Sequence, residues 1–154
     1  MIPNPTTDQL LADAARELAE LILPAVDDPG VQVAVEMLEQ LVRSCSVRAA
    51  HEIAWMHDQI AELEAFCADA VTAMPDAEGL AAALTEHQEA GVASLHLADV
   101  VAAYNRISDV TSSAMEAAFA AGETELQQRA GTLMRTRMEL EGEIRGEFRM
   151  PGRG

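Results

Sequence analysis

One stretch decides the fold: "VQVAVEMLEQLVRSCSVRAAHEIAWMHDQIAELEAFCADAVTAM", residues 31–74. Its apolar residues recur about every 3.6 residues, which is the period of an α-helix and not that of a strict coiled-coil heptad. "DDPG" (27–30) before the stretch and "MPDAEG" (74–79) after it predict turns. The sequence therefore predicts one long helix over about 31–74. Its apolar stripe comprises Val31, Val35, Leu38, Val42, Cys45, Ala49, Ile53, Met56, Ile60, Leu63, Cys67, Val71 and Met74.

The length of this helix has a structural consequence. A continuous helix would extend about 65 Å, whereas a compact bundle of this chain length rarely exceeds about 45 Å. Either the helix breaks near Ser44–Ser46, or one end overhangs the bundle and requires a partner. The second alternative favours a homodimer.

The first helix has a clear beginning and end. Thr6 and Gln9 form a capping-box pattern after Pro5, and Pro24 should kink or end the helix.

Three more helices are predicted after the long one. Asp76 is expected to cap a short helix that ends near Gly91, and Ser94 to cap a longer helix that reaches about Ala121. The last helix should cover about 123–148. The predicted class is all-α, a bundle of four main helices plus one short helix. Residues 1–149 would form a single domain, followed by a flexible C-terminal tail at 150–154.

Composition and charge exclude several functions. The net charge is −16. Residues 1–128 carry 22 acidic residues against 4 arginines, whereas residues 129–154 carry 6 arginines against 4 glutamates. An acidic body repels phosphate backbones and anionic lipids, so we expect no binding to nucleic acid or membranes. Cys45 and Cys67 share the long helix about 33 Å apart, too far for a disulfide, which favours a reducing, cytoplasmic location.

The stretch "RAAHEIAWMHD" (48–58) groups residues that metal sites use. On a helix, however, His51 and His57 point about 120° apart, whereas a two-histidine site needs a spacing of four residues. None of the four histidines follows a glutamate by three residues, the spacing used in di-iron bundles. We therefore predict no metal, no cofactor and no catalytic residue. Phosphate-loop, nucleophile-elbow and Cys-x-x-Cys motifs are missing from the sequence as well.

The same stretch is a candidate interaction surface. Arg48, His51, Trp55 and Asp58 lie opposite the apolar stripe, and a tryptophan beside an arginine is typical of an interaction hot spot. The alternative is that another segment of the chain covers Trp55, which would then belong to a second core layer.

A second candidate site would lie in the bundle core and involve Glu64 and Arg137, because charges predicted near apolar stripes require partners. One alternative is a structural ion pair of Arg137 with Glu64 or Asp109. The other is a polar pocket for a small anionic or acyl ligand, a kind of site that bundle cores do host. The candidate pocket residues are His57, Glu64, Tyr104 and Arg137.

The segment "PTTDQLLADAARELAELILPAVDDPGVQVAVEMLEQLVRS" (5–44) resembles the start of a bacterial helical domain found beside, or fused to, aminoglycoside-phosphotransferase-like kinases. The resemblance lies in the Pro-x-x-x-x-Leu-Leu opening, the "LILPAVDDP" helix end and the following long helix. It implies an accessory role near a small-molecule kinase or acyl-CoA pathway, with such a kinase as a protein partner. It carries over no catalytic residue.

The sequence thus predicts a non-catalytic helical interaction module that self-associates as a homodimer. The alternative is a small acyl- or anion-binding protein or enzyme with a polar pocket in the bundle core.

Overall fold

The computed structural model describes residues 4–145. Within that range the chain forms five α-helices and no strand, which confirms the all-α prediction. The tail predicted at 150–154 and the last residues of the predicted fifth helix lie outside the described residues. No described helix is long and apolar enough to cross a membrane. The helices are α1 (Thr7–Glu17), α2 (Pro29–Ala73), α3 (Leu80–Ala90), α4 (Leu97–Ala121) and α5 (Thr124–Arg145).

The first helix begins and ends for the predicted reasons. Thr6 and Gln9 form the capping box, in which the Thr6 amide donates to Gln9 Oε1 at 3.0 Å. Towards Pro24 the helix changes into a π-helical segment, Leu18–Ile22, and then a 3₁₀ turn, Leu23–Ala25. Proline has no amide proton and its ring clashes with the carbonyl four residues earlier, so the α-helical hydrogen bonding cannot continue through it.

The long helix α2 has a strong start. Asp28 Oδ1 accepts hydrogen bonds from the amides of Gly30 at 2.7 Å and Val31 at 3.2 Å, and Pro29 occupies the first helical position. The helix then runs for 45 residues through Ser44–Ser46 without interruption. The long-helix prediction is confirmed, and the alternative break near those serines is absent.

Two predicted caps are wrong. Asp76 does not cap α3, because that helix begins after Gly79, whose φ of 76° is accessible mainly to glycine. Ser94 does not cap α4, because His96 is its N-cap residue. The Ser94 hydroxyl instead donates a hydrogen bond to the Asp99 carboxylate and accepts one from the backbone amide of His96. These two bonds stabilise the turn before the helix.

The chain divides into two compact units: unit 1 comprises Met1–Glu52 and Glu139–Gly154, and unit 2 comprises Ile53–Met138. The buried hydrophobic cluster lies in unit 2. Helix α4 supplies small buried residues such as Ala103, Ala114 and Ala118, which allow neighbouring helices to approach closely. The largest fully buried side chains of this core are Phe66, Ile107, Val100 and Cys67.

Unit 1 has a different character. Among its described residues only Ala15 is buried. The stripe predicted to be core is therefore buried only towards the C-terminal end of α2, at Ile60, Leu63, Cys67 and Met74. At the N-terminal end Val31 and Leu38 are about half exposed, so that part of the core prediction is wrong.

Candidate functional site

The most conspicuous surface of unit 1 is an exposed apolar face on the N-terminal part of α2. We call Val31, Val33, Met37, Leu38 and Leu41 the α2 apolar face. Each of these side chains is between 41% and 61% exposed. At about 100° per residue, the five positions fall within an arc of about 160° on one side of the helix. Exposed apolar residues are common singly, but a contiguous set usually marks an interaction site.

Helix α1 is attached on a different side of α2. The Ser46 hydroxyl donates to the carbonyl oxygen of Asp8 at 2.9 Å, and Ser46 lies about 140° around the helix from the middle of the α2 apolar face. Half-buried polar residues, including Gln32 and Glu39, lie on the covered side. Gln32 Nε2 also donates to the carbonyl of Val26 at 2.7 Å. Among the described residues, these hydrogen bonds lie on the side of α2 away from the α2 apolar face, whose five side chains stay exposed.

Two predicted interface residues continue this face within unit 1. Arg48 and His51 fall within the same arc and both are exposed. Arg48 pairs with Glu52, one turn further on. The Thr6 side chain bonds to Asp8 and lowers the pKa of that carboxyl below its ordinary value, with a smaller contribution from His51.

The other two predicted interface residues belong to unit 2. Trp55 is half-buried and Asp58 is exposed. The half-buried state of Trp55 lies between the two alternatives that the sequence left open, a fully presented hot spot and a core residue.

The candidate core pocket corresponds to a small depression in unit 2. Its lining includes Gln59, Tyr104 and Arg137, but neither His57, which is exposed, nor Glu64. The Tyr104 hydroxyl donates to Gln59 Oε1 at 2.7 Å, and the Arg137 guanidinium lies 5.5 Å from the centre of the Tyr104 ring.

The depression has a volume of about 10 Å³, which suits a single water molecule. Pockets for small organic ligands are usually some hundreds of Å³. An acyl ligand would therefore require these side chains to move, and the ligand-pocket alternative stays a prediction.

Glu64 has a partner that the sequence did not predict. Its Oε1 lies 2.8 Å from Nε2 of His87, whose side chain is almost completely buried. The helical spacing of Leu80, Leu84 and His87 predicts that the histidine faces the core, but nothing local identifies a partner 23 residues earlier in the chain. The other ring nitrogen, Nδ1, is buried without a hydrogen-bond partner. Such a group destabilises a fold unless a water reaches it.

The described residues contain no group of three or more histidine, cysteine or acidic side chains that could hold a metal ion. Both cysteines are free. Burial raises the pKa of the Cys67 thiol, which also lies 3.4 Å from the Thr111 hydroxyl. A buried thiol with a raised pKa is a poor nucleophile, because the thiolate is the reactive form.

Comparison with protein-family models, with curated proteins and with solved structures gives no match. The fold and the geometry of the candidate sites are therefore the basis for a functional proposal.

Proposed function

We propose that this protein is a non-catalytic helical interaction module that self-associates as a homodimer through the α2 apolar face. The observation that carries the proposal is the exposure of five large apolar side chains within one arc of α2, in a unit that buries only Ala15 among its described residues. Isolated exposed leucines are ordinary, but a continuous apolar arc on an amphipathic helix usually packs against another element.

The free energies involved are adequate for a reversible dimer. Fully burying one such side chain contributes about 1.5–3 kcal/mol. Because about half of each side chain is exposed, the five together offer about 4–8 kcal/mol per chain, and a two-fold contact uses the face of both chains. Association costs roughly 4–15 kcal/mol in lost freedom of motion. The two faces together offer about 8–15 kcal/mol, which exceeds this cost over the lower part of its range and is then sufficient for a reversible dimer.

Two further features suit the proposed intracellular location. Both cysteines are free, and the buried Cys67 thiol is held in its unreactive form, as suits a protein of the reducing cytoplasm. The proposal requires no cofactor, because the contact uses apolar packing alone.

The test is the mass of the protein in solution as a function of concentration. Sedimentation equilibrium from about 100 μM to about 0.1 μM should show a species of twice the 16.5 kDa chain mass that dissociates on dilution. A mass of one chain at every concentration would contradict the proposal.

A further inference from the structure

We infer that the part of α5 that belongs to unit 2, residues 124–138, is a displaceable lid. It covers a groove between α2 and α4, and it opens while those two helices stay folded. We call these residues the α5 lid. Because the lid lies in unit 2, its opening is independent of the proposed self-association through the α2 apolar face in unit 1.

The α5 lid contacts both walls of the groove. Arg129 donates to the carboxylate of Asp69 on α2, and its guanidinium lies 5.8 Å from the centre of the Phe66 ring. Further along the lid, the Arg137 guanidinium lies over the Tyr104 ring of α4. Phe66 is completely buried and is one of the largest side chains of the core. The lid therefore covers apolar surface that its departure would expose to water.

Little of the lid is buried in return. Among the described side chains of α5, only Leu126 and Ala130 are buried. Helix α4 has a similar length and buries seven residues: Val100, Ala103, Ile107, Val110, Thr111, Ala114 and Ala118. The ion pair of Arg129 with Asp69 adds little, because its two side chains are 46% and 58% exposed. Elements with few buried apolar contacts open at a lower free energy than the core does.

The packing beneath the second half of the lid is also incomplete. The small depression of about 10 Å³ in unit 2 lies there, between Leu133 and Met134 of the lid, Leu63 of α2 and Tyr104 of α4. A gap of this kind removes dispersion contacts from the side chains that line it. It therefore weakens the attachment of the lid to both walls.

The connection between α4 and α5 allows the lid to leave without unwinding α4. It consists of Gly122 and Glu123, whose amides donate to the carbonyls of Phe119 at 3.4 Å and Ala118 at 3.0 Å. Gly122 has a φ of 75°, the left-handed conformation that commonly ends a helix. These capping bonds join the connection to α4 and not to α5, so the end of α4 stays capped when the lid opens.

The experiment is native-state hydrogen exchange of the full chain, read separately for the amides of the lid and for the core amides at 60–73 of α2 and 103–114 of α4. In the wild type the lid amides should exchange at least about tenfold faster than the core amides. Their exchange should also depend less on urea, because opening the lid exposes less surface than unfolding the unit does.

Two matched variants separate the lid from the rest of the core. Leu126 in the lid and Leu84 in α3 are 5% and 6% exposed. Leu126→Ala weakens the closed lid and should speed exchange of the lid amides about 30-fold or more. Leu84→Ala weakens α3, which packs on α4 and stays docked when the lid opens. It should speed exchange of the core amides and leave that of the lid amides unchanged.

A milder variant covers the case in which Leu126→Ala does not fold. Arg129→Ala changes a side chain that is 46% exposed and removes its contact with the Phe66 ring. It should speed exchange of the lid amides about two- to fivefold.

The outcomes decide whether α5 opens alone. Lid amides that exchange as slowly as the core amides in the wild type overturn the inference, because α5 then opens only when the whole unit unfolds. Lid amides that Leu84→Ala speeds as much as it speeds the core amides overturn it as well. Faster lid exchange that responds to Leu126→Ala or Arg129→Ala, and not to Leu84→Ala, establishes the lid.

Discussion

Replacing Met37 and Leu41 by alanine together tests the α2 apolar face most sharply. Their side chains are 59% and 61% exposed. If the dimer buries them, each contributes about 1–2 kcal/mol, from about 1.5–3 kcal/mol for a fully buried side chain. Four such side chains are lost per dimer, which amounts to about 4–7 kcal/mol, or a dissociation constant raised about 10³- to 10⁵-fold.

The fold itself should tolerate the same change. Both positions are exposed on a helix, and alanine has the highest helix propensity, so the free energy of unfolding of the single chain should change by no more than about 0.5 kcal/mol. Circular dichroism at a concentration below the dissociation constant should confirm this. The large effect on association and the small effect on folding together identify an interface.

The assay is sedimentation equilibrium of three proteins at matched concentrations. The matched control is Leu95→Ala with Met138→Ala, which removes the same two residue types from unit 2, where they are 69% and 72% exposed. The control should retain the wild-type dissociation constant. If the Met37 and Leu41 double variant dimerises as tightly as this control, the α2 apolar face is not the interface and the reasoning from exposure fails.

Two further predictions concern unit 2. Phe66→Ala removes the largest fully buried side chain and should destabilise the fold by about 3–5 kcal/mol, seen as a lower midpoint in urea denaturation, whereas a loss below about 1 kcal/mol would show that Phe66 is not a core residue. In thiol labelling of the native protein, Cys45 should react faster than the buried Cys67. Because the pKa of Cys67 is raised in the folded state, its neutral thiol contributes stability below the unfolded pKa, and this contribution is lost as the pH rises through the folded value. Urea denaturation of wild type and Cys67→Ala from neutral pH to pH 10 should show a larger alkaline loss of stability in the wild type, and equal losses would refute this prediction.

Local signals in the sequence predicted the elements well and the contacts between them poorly. The period of the stripe identified α2 to within two residues at its start and one at its end, and the capping box of Thr6 and Gln9 located α1, because both signals act over a few residues. Asp76 and Ser94 were reasonable caps by residue type. The structure uses Gly79 and His96 instead, since several nearby residues compete to end a turn and residue type alone does not choose between them.

The candidate sites show the same limit more strongly. The Arg137 guanidinium lies 5.5 Å from the centre of the Tyr104 ring, whereas the partner of Glu64 is His87, which the sequence did not indicate. Which basic side chain a carboxylate contacts depends on how three helices pack together. A single sequence shows which residues share one face of a helix, but it does not show which helix packs against that face. The exposure of Val31 and Leu38, which the apolar stripe assigned to the core, was missed for a related reason. The periodic pattern shows that a face is apolar, but it does not show whether the same chain covers it.

The two ends of α2 show why it matters for function whether the same chain covers an apolar face. The same helical period places Ile60 and Leu63 in the core of unit 2 and leaves Val31 and Leu38 about half exposed in unit 1. The exposed end therefore contributes little burial to the folded chain. Nor does net charge favour association, because two chains of −16 repel each other at distances beyond the contact. A dimer must then rely on a short-range term, the burial of the α2 apolar face.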